Sequence, residues 1–306
     1  MTSFLHATII AGTPLFLSTL GEILNEKAGN LNLGVEGMML MGAVAGFLAA
    51  KGTNNAFLAI LCSILFGCIG ALIYAFLTIT LRANQTVTGL ALTIFGSGIS
   101  SFIGQNLSGK VVPDRVKYFL SPIKLPLLGD IPFLGKVFFT QDIIVYFSYI
   151  LAFAAAFYFY KTRIGLNLKA VGENPYAADA VSINVALYKY VNILAGGALC
   201  GLSGGYLSLI YVPAWQNNIT SGRGWIAVAL VIFAAWNPCK ALLGAYLFGG
   251  LDIIGFRIQD GFISKYFLDM LPYLVTIIIL TLFSFKRSKK NSPPKFLGLP
   301  YFREER

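Results

Sequence analysis

The sequence predicts an all-α fold, a polytopic transmembrane helical bundle of about eight to ten spans in which some helices are broken or re-entrant. Of the 306 residues, 57% are hydrophobic and 12% are charged, and the mean hydropathy is +0.73. A soluble domain carries about a quarter charged residues. Apolar runs of membrane length recur along the chain, and they lack the short alternating pattern of a membrane β-barrel.

The apolar runs place the individual spans. Clear spans are predicted at residues 4–24, 31–50, 56–81, 86–105, 143–160, 188–212 and 262–285. The run 225–254 is too long for one ordinary span and contains Asn237-Pro238, so we expect two shorter helices joined by a turn at the membrane face. Asn32, Gly34, Glu36 and Gly37 interrupt the first half of 31–50, which predicts unwound backbone shielded by protein or by a water-filled cavity. About nine crossings result, the first a retained span rather than a signal peptide.

The distribution of charge predicts the orientation. With residues 161–187 and the tail placed inside, the inner segments hold most of the 23 lysines and arginines. This bias puts the N-terminus outside and the C-terminus inside. Residues 1–285 then form a single transmembrane domain, and 286–306 form a basic cytoplasmic tail. The connection 106–142 is expected to be a surface loop with short helical pieces.

A polar segment, residues 161–184, separates two membrane-length apolar runs. Within it, Asn174 followed by Pro175 is typical of a helix start, because Asn caps a helix and Pro fits its first position. A helix over residues 175–183 would be about 13 Å long. That length is too short to cross a bilayer and suits docking on another protein.

Small residues recur in the span that follows. Gly197, Gly201 and Gly205 lie four residues apart, on one helix face, and allow another helix to approach closely. The sequence does not tell whether that helix belongs to this chain or to a second subunit. The 4 cysteines lie in or beside apolar runs without metal-ligand spacing, so we interpret them as packing residues and predict no metal site.

Polar residues within the spans are candidates for the solute pathway. Glu36 lies deep and is given a structural or pathway role, whereas Glu22 and Glu26 are expected to be solvated at the inner interface. Asn84 and Gln85 are explained equally well as cavity lining or as a helix cap. The pathway candidates are Asn32, Glu36, Asn84, Gln85 and Thr88.

Other functions find little support in the sequence. Gly104 to Lys110 superficially matches a phosphate-binding loop, but Val111 stands where Ser or Thr would hold magnesium. The net charge of +10 reflects a basic tail rather than a nucleic-acid surface. Neither paired carboxylates nor a Ser–His pair occurs in the spans, and the lone His6 has no catalytic companion, so we do not expect an enzyme.

Three blocks of sequence carry a family resemblance. Residues 30–43, 170–183 and 222–230 with Trp236-Asn-Pro238 resemble, in the same order, patterned regions of the permease subunits of ATP-binding-cassette (ABC) importers. The group concerned transports branched-chain amino acids, ribose and nucleosides, and the Gly-Val-Glu-Gly-Met-Met and Gly-Arg-Gly-Trp forms look most like its nucleoside branch. One departure is Ser182, where the group usually has Gly.

The resemblance implies a set of partners. These are a cytoplasmic ABC ATPase that binds ATP and Mg²⁺, a second, homologous permease in a heterodimer, a substrate-binding lipoprotein and a small-molecule solute; no cofactor on this chain and no nucleic acid are implied. The location implied is the inner or plasma membrane of a bacterial cell. Residues 161–187 would be the segment that couples the permease to the ATPase, through Gly172, Glu173, Asn174, Pro175, Ala177, Ala180 and Val181.

The function expected is translocation of nucleosides or a related sugar, without chemical change to the solute. A permease for a pentose or a branched-chain amino acid is an alternative within the same class. A secondary transporter working without ATP is a further alternative, but it would need no docking helix and would carry more ionisable residues within the membrane.

Overall fold

The computed structural model describes residues 1–257 and 292–303, together with positions 270, 271, 274, 275, 277, 278 and 281. Over this part of the chain it confirms the all-α prediction, and six helices are long and apolar enough to cross a membrane. The chain is therefore a multi-pass membrane protein. The predicted span at 262–285 lies largely outside the described residues.

The first four long helices follow the predicted spans closely. They are α1 (Thr2–Lys27), α2 (Val35–Thr53), α3 (Ala56–Ala75) and α4 (Gln85–Gly104). Residues 28–34 are not helical and are largely buried, so the unwound backbone expected there is confirmed. Glu36 and Gly37, however, lie in the first turn of α2. Helix α3 continues into a π-helix, Phe76–Thr80, which ends before Arg82.

The connection 106–142 is a loop with short elements, as predicted. A 3₁₀ turn (Gln105–Leu107) leads to α5 (Asp114–Phe119), then to strand β1 (Ile123–Lys124), a 3₁₀ turn (Leu128–Asp130), α6 (Leu134–Phe138) and strand β2 (Thr140–Gln141), which pairs antiparallel with β1. Asp142 ends the connection by capping the next helix and accepts a hydrogen bond from Tyr206 at 2.9 Å. Burial raises the pKa of this carboxyl group, although the donated hydrogen bonds oppose that rise.

The second half contains the polar segment and a broken span. Helix α7 (Ile143–Lys161) is followed by the short α8 (Arg163–Glu173) and α9 (Pro175–Ala180), then by α10 (Val185–Tyr206) with a π-helical extension (Leu207–Tyr211). Residues 212–222 form a non-helical loop before α11 (Arg223–Phe233) and α12 (Pro238–Arg257). The break predicted at Asn237-Pro238 is confirmed, and the Asn237 side chain accepts from the Cys239 amide at 3.0 Å.

The loop 212–222 is anchored in the bundle by the buried residues Trp215, Ile219 and Thr220, while Gln216, Asn217, Asn218 and Ser221 remain exposed. Trp215 packs on Phe47 near the end of α2, with ring centroids 5.6 Å apart. A few residues later, Gly222 donates to Glu36 at the opposite end of the same helix, at 2.9 Å. Helix α11 therefore starts inside the bundle and is only 11 residues long. The sequence predicted broken or re-entrant helices but did not place one at residues 212–222.

The glycine strip of α10 packs against α3 of this same chain, which answers the question left open by the sequence. Gly197, Gly201 and Gly205 face Ala71, Gly67 and Ser63, three small residues that also recur every fourth position. The two glycines beside the strip serve two further helices, because Gly196 lies against Gly21 of α1 and Gly204 against Met39 of α2. Helix α10 is thus the central helix of the described bundle.

We predict that Gly201→Val separates α3 from α10. A Cβ at Gly201 would lie 2.8 Å from the Cα of Gly67, and backbone cannot move aside as a flexible side chain can. The expected cost is on the order of 2 kcal/mol, measured as a lower unfolding temperature in detergent. Gly98→Val is the matched control, since a Cβ there meets nothing within 4 Å. Equal stability of the two variants would contradict the packing described.

Candidate coupling segment and polar interior

Segment 161–187 is built from helices with side-chain caps. Thr162 begins α8 by accepting from the Gly165 amide at 3.0 Å, and Asn174 begins α9 by accepting from the Ala177 amide at 3.0 Å. Pro175 occupies the first position of α9 as predicted. Helices this short are only marginally stable through their own backbone hydrogen bonds, and the two N-terminal caps stabilise them further.

One side of α9 is packed and the other is uncovered. Pro175 and Ala178 are buried, and Ala178 joins a small cluster with Val171 and Val185. The residues predicted to form the apolar face, Ala177, Ala180 and Val181, are exposed, Val181 to 70%. Of the other residues assigned to this segment, Gly172 is buried against the end of α1 and Glu173 ends α8.

Helix α9 is shorter than predicted, because it ends at Ala180 rather than at residue 183. The Ile183 amide donates to the Ala178 carbonyl at 3.0 Å and the Ser182 amide to that of Asp179 at 2.9 Å. This pair of bonds defines a Schellman motif, which requires a left-handed residue at Ser182. Its φ is 64°, so the position where the family usually has Gly adopts the conformation that favours Gly.

The C-terminal residues 292–303 cover the packed side of this segment, a role that the prediction of a basic tail missed. The Phe296 amide donates to the Gly172 carbonyl at 3.1 Å, and the Gly298 amide to the Gly29 carbonyl at 3.3 Å. Gly298 has a φ of 81°, which turns the chain at this point. In the sequence, the Pro, Gly and aromatic residues that lie among the cations of the tail could have indicated an ordered segment. We call residues 292–303 the tail strap.

Aromatic rings join the tail strap to α9. The Tyr176 ring lies 5.7 Å from that of Phe296 and 5.2 Å from that of Tyr301. Arg303 adds an ion pair with Asp179 at 3.3 Å. The arginine is exposed, so the rings rather than this pair are expected to contribute most of the stabilisation. The tail strap thereby ties α9 to the connection between α1 and α2.

The prediction that Glu22 and Glu26 are solvated is wrong, since their side chains are 0% and 2% exposed. Glu22 accepts from Asn25 at 2.8 Å and from the Asn32 amide at 3.0 Å. Glu26 accepts from the Trp236 indole at 2.5 Å. Residues 28–34 fold back over the end of α1, and the turn between α11 and α12 closes its other side. Both carboxyl groups are therefore covered by protein.

Glu36 anchors the loop 212–222 to the start of α2. One carboxyl oxygen accepts from Thr220 at 2.5 Å and from the Gly222 amide at 2.9 Å, and the other accepts from the Gly224 amide at 2.6 Å. These donors lie at the N-terminus of α11, where a negative charge is favoured by the helix dipole. A Cβ on Gly224 would lie 2.6 Å from the Cα of Glu36, which explains the glycine there. Glu36 thus has a structural role.

The other pathway candidates have partners within the chain. Asn32 accepts from the Gly34 amide at 2.9 Å, and Gln85 accepts from the Leu31 amide at 2.8 Å while donating to Leu299 of the tail strap at 3.3 Å. Asn84 caps α4, and the Thr88 hydroxyl donates to the Asn84 carbonyl at 2.8 Å. Asn32 and Gln85 meet at the connection 28–34, whereas Glu36 contacts residues 220–224.

A charged cluster missed from the sequence lies where α11 begins. Arg223 pairs with Asp252 of α12 at 2.8 Å, and Tyr211 donates to the same carboxylate at 3.3 Å. The guanidinium group also lies over the Tyr211 ring, 5.2 Å from its centroid. The Asp252 side chain is partly exposed, at 29% of its surface, whereas that of Arg223 is 14% exposed. In the sequence, a carboxylate within the apolar run 225–254 was the feature that could have indicated this cluster.

Within the described residues, no group of three or more His, Cys, Asp or Glu side chains converges as a metal site would require. What the arrangement provides is an uncovered apolar helix face connected through the tail strap to the polar interior.

We predict that Ser182→Gly stabilises the end of α9. Removing the strain of a left-handed non-glycine residue is worth about 1 kcal/mol, so amide exchange over residues 178–183 should slow about fivefold. Ser182→Ala is the matched control, because alanine keeps the strain. Slower exchange in both variants, or in neither, would show that Ser182 does not limit this turn.

Comparison with known proteins identifies the family. A family model described as branched-chain amino acid transport system / permease component matches residues 4–280. This match covers most of the chain and confirms the resemblance seen in the sequence.

Three relatives span nearly the whole chain or most of it. NupQ of Bacillus subtilis, a guanosine ABC transporter permease protein, is 35% identical over 316 residues, covering 98% of this chain and 96% of NupQ. NupC of Lactococcus lactis, a nucleoside ABC transporter permease protein, is 34% identical over 315 residues, covering 97% and 96%. TsgC13 of Haloferax volcanii, provisionally named a glucose ABC transporter permease protein, is 40% identical over 260 residues, covering 84% and 78%. The chain belongs to the family of branched-chain amino acid transport system permease components.

Proposed function

We propose that this chain is a permease subunit of an ATP-driven importer that moves nucleosides, or a related sugar, across the inner or plasma membrane. The observation that carries the proposal is helix α9, which is capped at both ends and presents the exposed apolar side chains Ala177, Ala180 and Val181. An uncovered apolar face on a short, rigid helix is suited to bind a groove of a partner protein. The partner proposed is a cytoplasmic ABC ATPase.

The orientation proposed has the N-terminus outside and the C-terminus inside. Segment 161–187 and the tail strap contact each other and the end of α1, so they lie at the same end of the bundle. Lysine and arginine prefer cytoplasmic segments, and this end carries the basic segment 161–187 together with the basic tail.

The contacts suggest how movement of the ATPase would reach the transport pathway. A shift of α9 moves Tyr176 and Asp179, which hold the tail strap, and the tail strap holds Gly29 and Gln85. Gln85 begins α4 and is bonded to the connection 28–34. Displacement of α9 is thereby passed to the ends of three spans by direct contacts. The solute itself is not chemically changed.

Further subunits complete the proposed importer. ATP and Mg²⁺ would be bound by the ATPase, a second and homologous permease would form a heterodimer with this chain, and a lipoprotein would deliver the solute. Similarity to NupQ and NupC over nearly the whole chain supports a nucleoside as that solute. The higher identity to TsgC13 over a shorter region supports a sugar as the second candidate.

We predict that Ala177→Asp abolishes transport and weakens ATPase binding while leaving membrane insertion intact. A charge in the apolar contact would have to be desolvated without a partner, which is expected to weaken ATPase binding at least about tenfold. Ser108→Asp places the same charge on the exposed connection 106–142 and serves as the control. Normal ATPase recovery in a pull-down with Ala177→Asp would contradict the proposed role of α9.

The solute is tested separately, in vesicles that contain all proposed subunits. We predict ATP-dependent uptake of radiolabelled guanosine that excess unlabelled glucose does not reduce. Glucose uptake that guanosine does not reduce would favour the sugar candidate. Uptake at full rate without the ATPase would exclude an ATP-driven importer.

A further inference from the structure

A cavity of about 410 Å³ lies beneath α9, between the π-helical end of α3 and the start of α10. Its walls come from four parts of the chain, and none of the functions proposed above uses it. The residues that line it are Thr78, Ile79, Arg82, Asp179, Ser182, Ile183, Asn184, Val185, Ala186, Lys189, Tyr301 and Arg303.

Lys189 is the unusual member of this lining. The residue is 3% exposed, yet within the described part of the chain no hydrogen bond or ion pair engages its ammonium group. Burying an ammonium group is costly unless an anion accompanies it. An anionic ligand in the cavity would supply the missing charge.

Other features of the lining favour the same charge. Val185 and Ala186 are the first two residues of α10, and the first amide groups of a helix have no acceptor within it. Together with the helix dipole they attract anions. Arg82 adds one further cation, whereas Arg303 is paired at 3.3 Å with Asp179, the one carboxylate of the described lining, so that this pair adds no net charge.

An apolar groove of about 370 Å³ is lined by residues of the same two helices. Leu72, Ile73, Phe76 and Leu77 line it from the α3 side, and Tyr190 lines it from α10. The two spaces share no lining residue, but their linings are neighbours in the sequence, since Leu77 precedes Thr78 and Tyr190 follows Lys189. A cationic cavity beside an apolar groove between two spans matches a phosphate headgroup with its acyl chain. A free phosphate would explain only the cavity.

We propose that this is a binding site for an anionic phospholipid. Lys189 and the N-terminus of α10 hold its phosphate, and the groove holds part of an acyl chain. The lipid reaches the end of α9 at Asp179 and Ser182, so it fills the space between the coupling segment and the bundle. The orientation proposed above would place this lipid in the inner leaflet, and the binding site itself does not depend on that orientation.

The test is native mass spectrometry of the full-length chain in detergent, titrated with phosphatidylglycerol or with phosphatidylcholine of the same acyl chains. We expect the wild type to prefer phosphatidylglycerol about tenfold and Lys189→Met to lose that preference. Lys161→Met removes an exposed cation at the same end of the bundle, and this variant should retain the preference for phosphatidylglycerol. Equal preference in Lys189→Met and wild type would overturn the proposal.

Two further measurements separate a lipid from a free anion. Phe76→Ala shortens a side chain of the groove and should weaken the binding of phosphatidylglycerol. Phe102→Ala, at an exposed position of α4 away from the groove, should leave that binding unchanged. Inorganic phosphate that displaces the lipid, combined with unchanged binding in Phe76→Ala, would assign the cavity to a free phosphate and overturn the lipid site.

Arg82→Gln provides a second charge change that leaves the interior of α10 intact. It should reduce the preference for phosphatidylglycerol even if Lys189→Met fails to fold, and an unchanged preference would count against the site. Lipid binding is measured without the ATPase. A failure to bind lipid would therefore not contradict the proposed import function. A failure of the wild-type chain to recover the ATPase in a pull-down would not contradict the lipid site.

Discussion

The described bundle depends on the close approach of backbone to backbone along α10. Lipid tails are as apolar as leucine, so helices within a membrane gain little from the hydrophobic effect and associate through close packing and hydrogen bonds. Gly197, Gly201 and Gly205 remove the side chains that would keep α3 away, while Gly196 and Gly204 do the same for α1 and α2. One helix therefore fixes the positions of three others, and the polar interior is assembled on that framework.

The polar interior shows how a membrane protein can keep carboxyl groups buried. Glu22 and Glu36 accept hydrogen bonds from backbone amide groups in a non-helical segment and at a helix terminus, and Glu26 accepts from the indole of Trp236, in the turn between α11 and α12. Unwound backbone needs partners inside a membrane, and buried carboxyl groups need donors. The two requirements are met together at residues 28–34 and at 220–224. Irregular backbone and acidic residues are thus two parts of the same arrangement.

Much of this fold could be predicted from the sequence, because its signals are local. Membrane-length runs gave the spans, Asn237-Pro238 gave the break between α11 and α12, and Asn174-Pro175 gave the start of α9. Contacts between distant residues could not be predicted in this way. The burial of Glu22 depends on the return of residues 28–34, and the partner of the glycine strip depends on which spans are neighbours. The tail strap was missed because its cations were explained by topology alone.

The position of the tail strap has a consequence for biogenesis. Residues 292–303 follow the spans in the sequence and are therefore translated after them, and they supply the backbone donors to Gly172 and Gly29 as well as the rings that enclose Tyr176. The support beneath α9 is therefore complete only after every span has been translated. A nascent chain that has not yet reached residue 292 presents the same helix without this backing, so docking on the supported form of α9 has to follow synthesis of the spans.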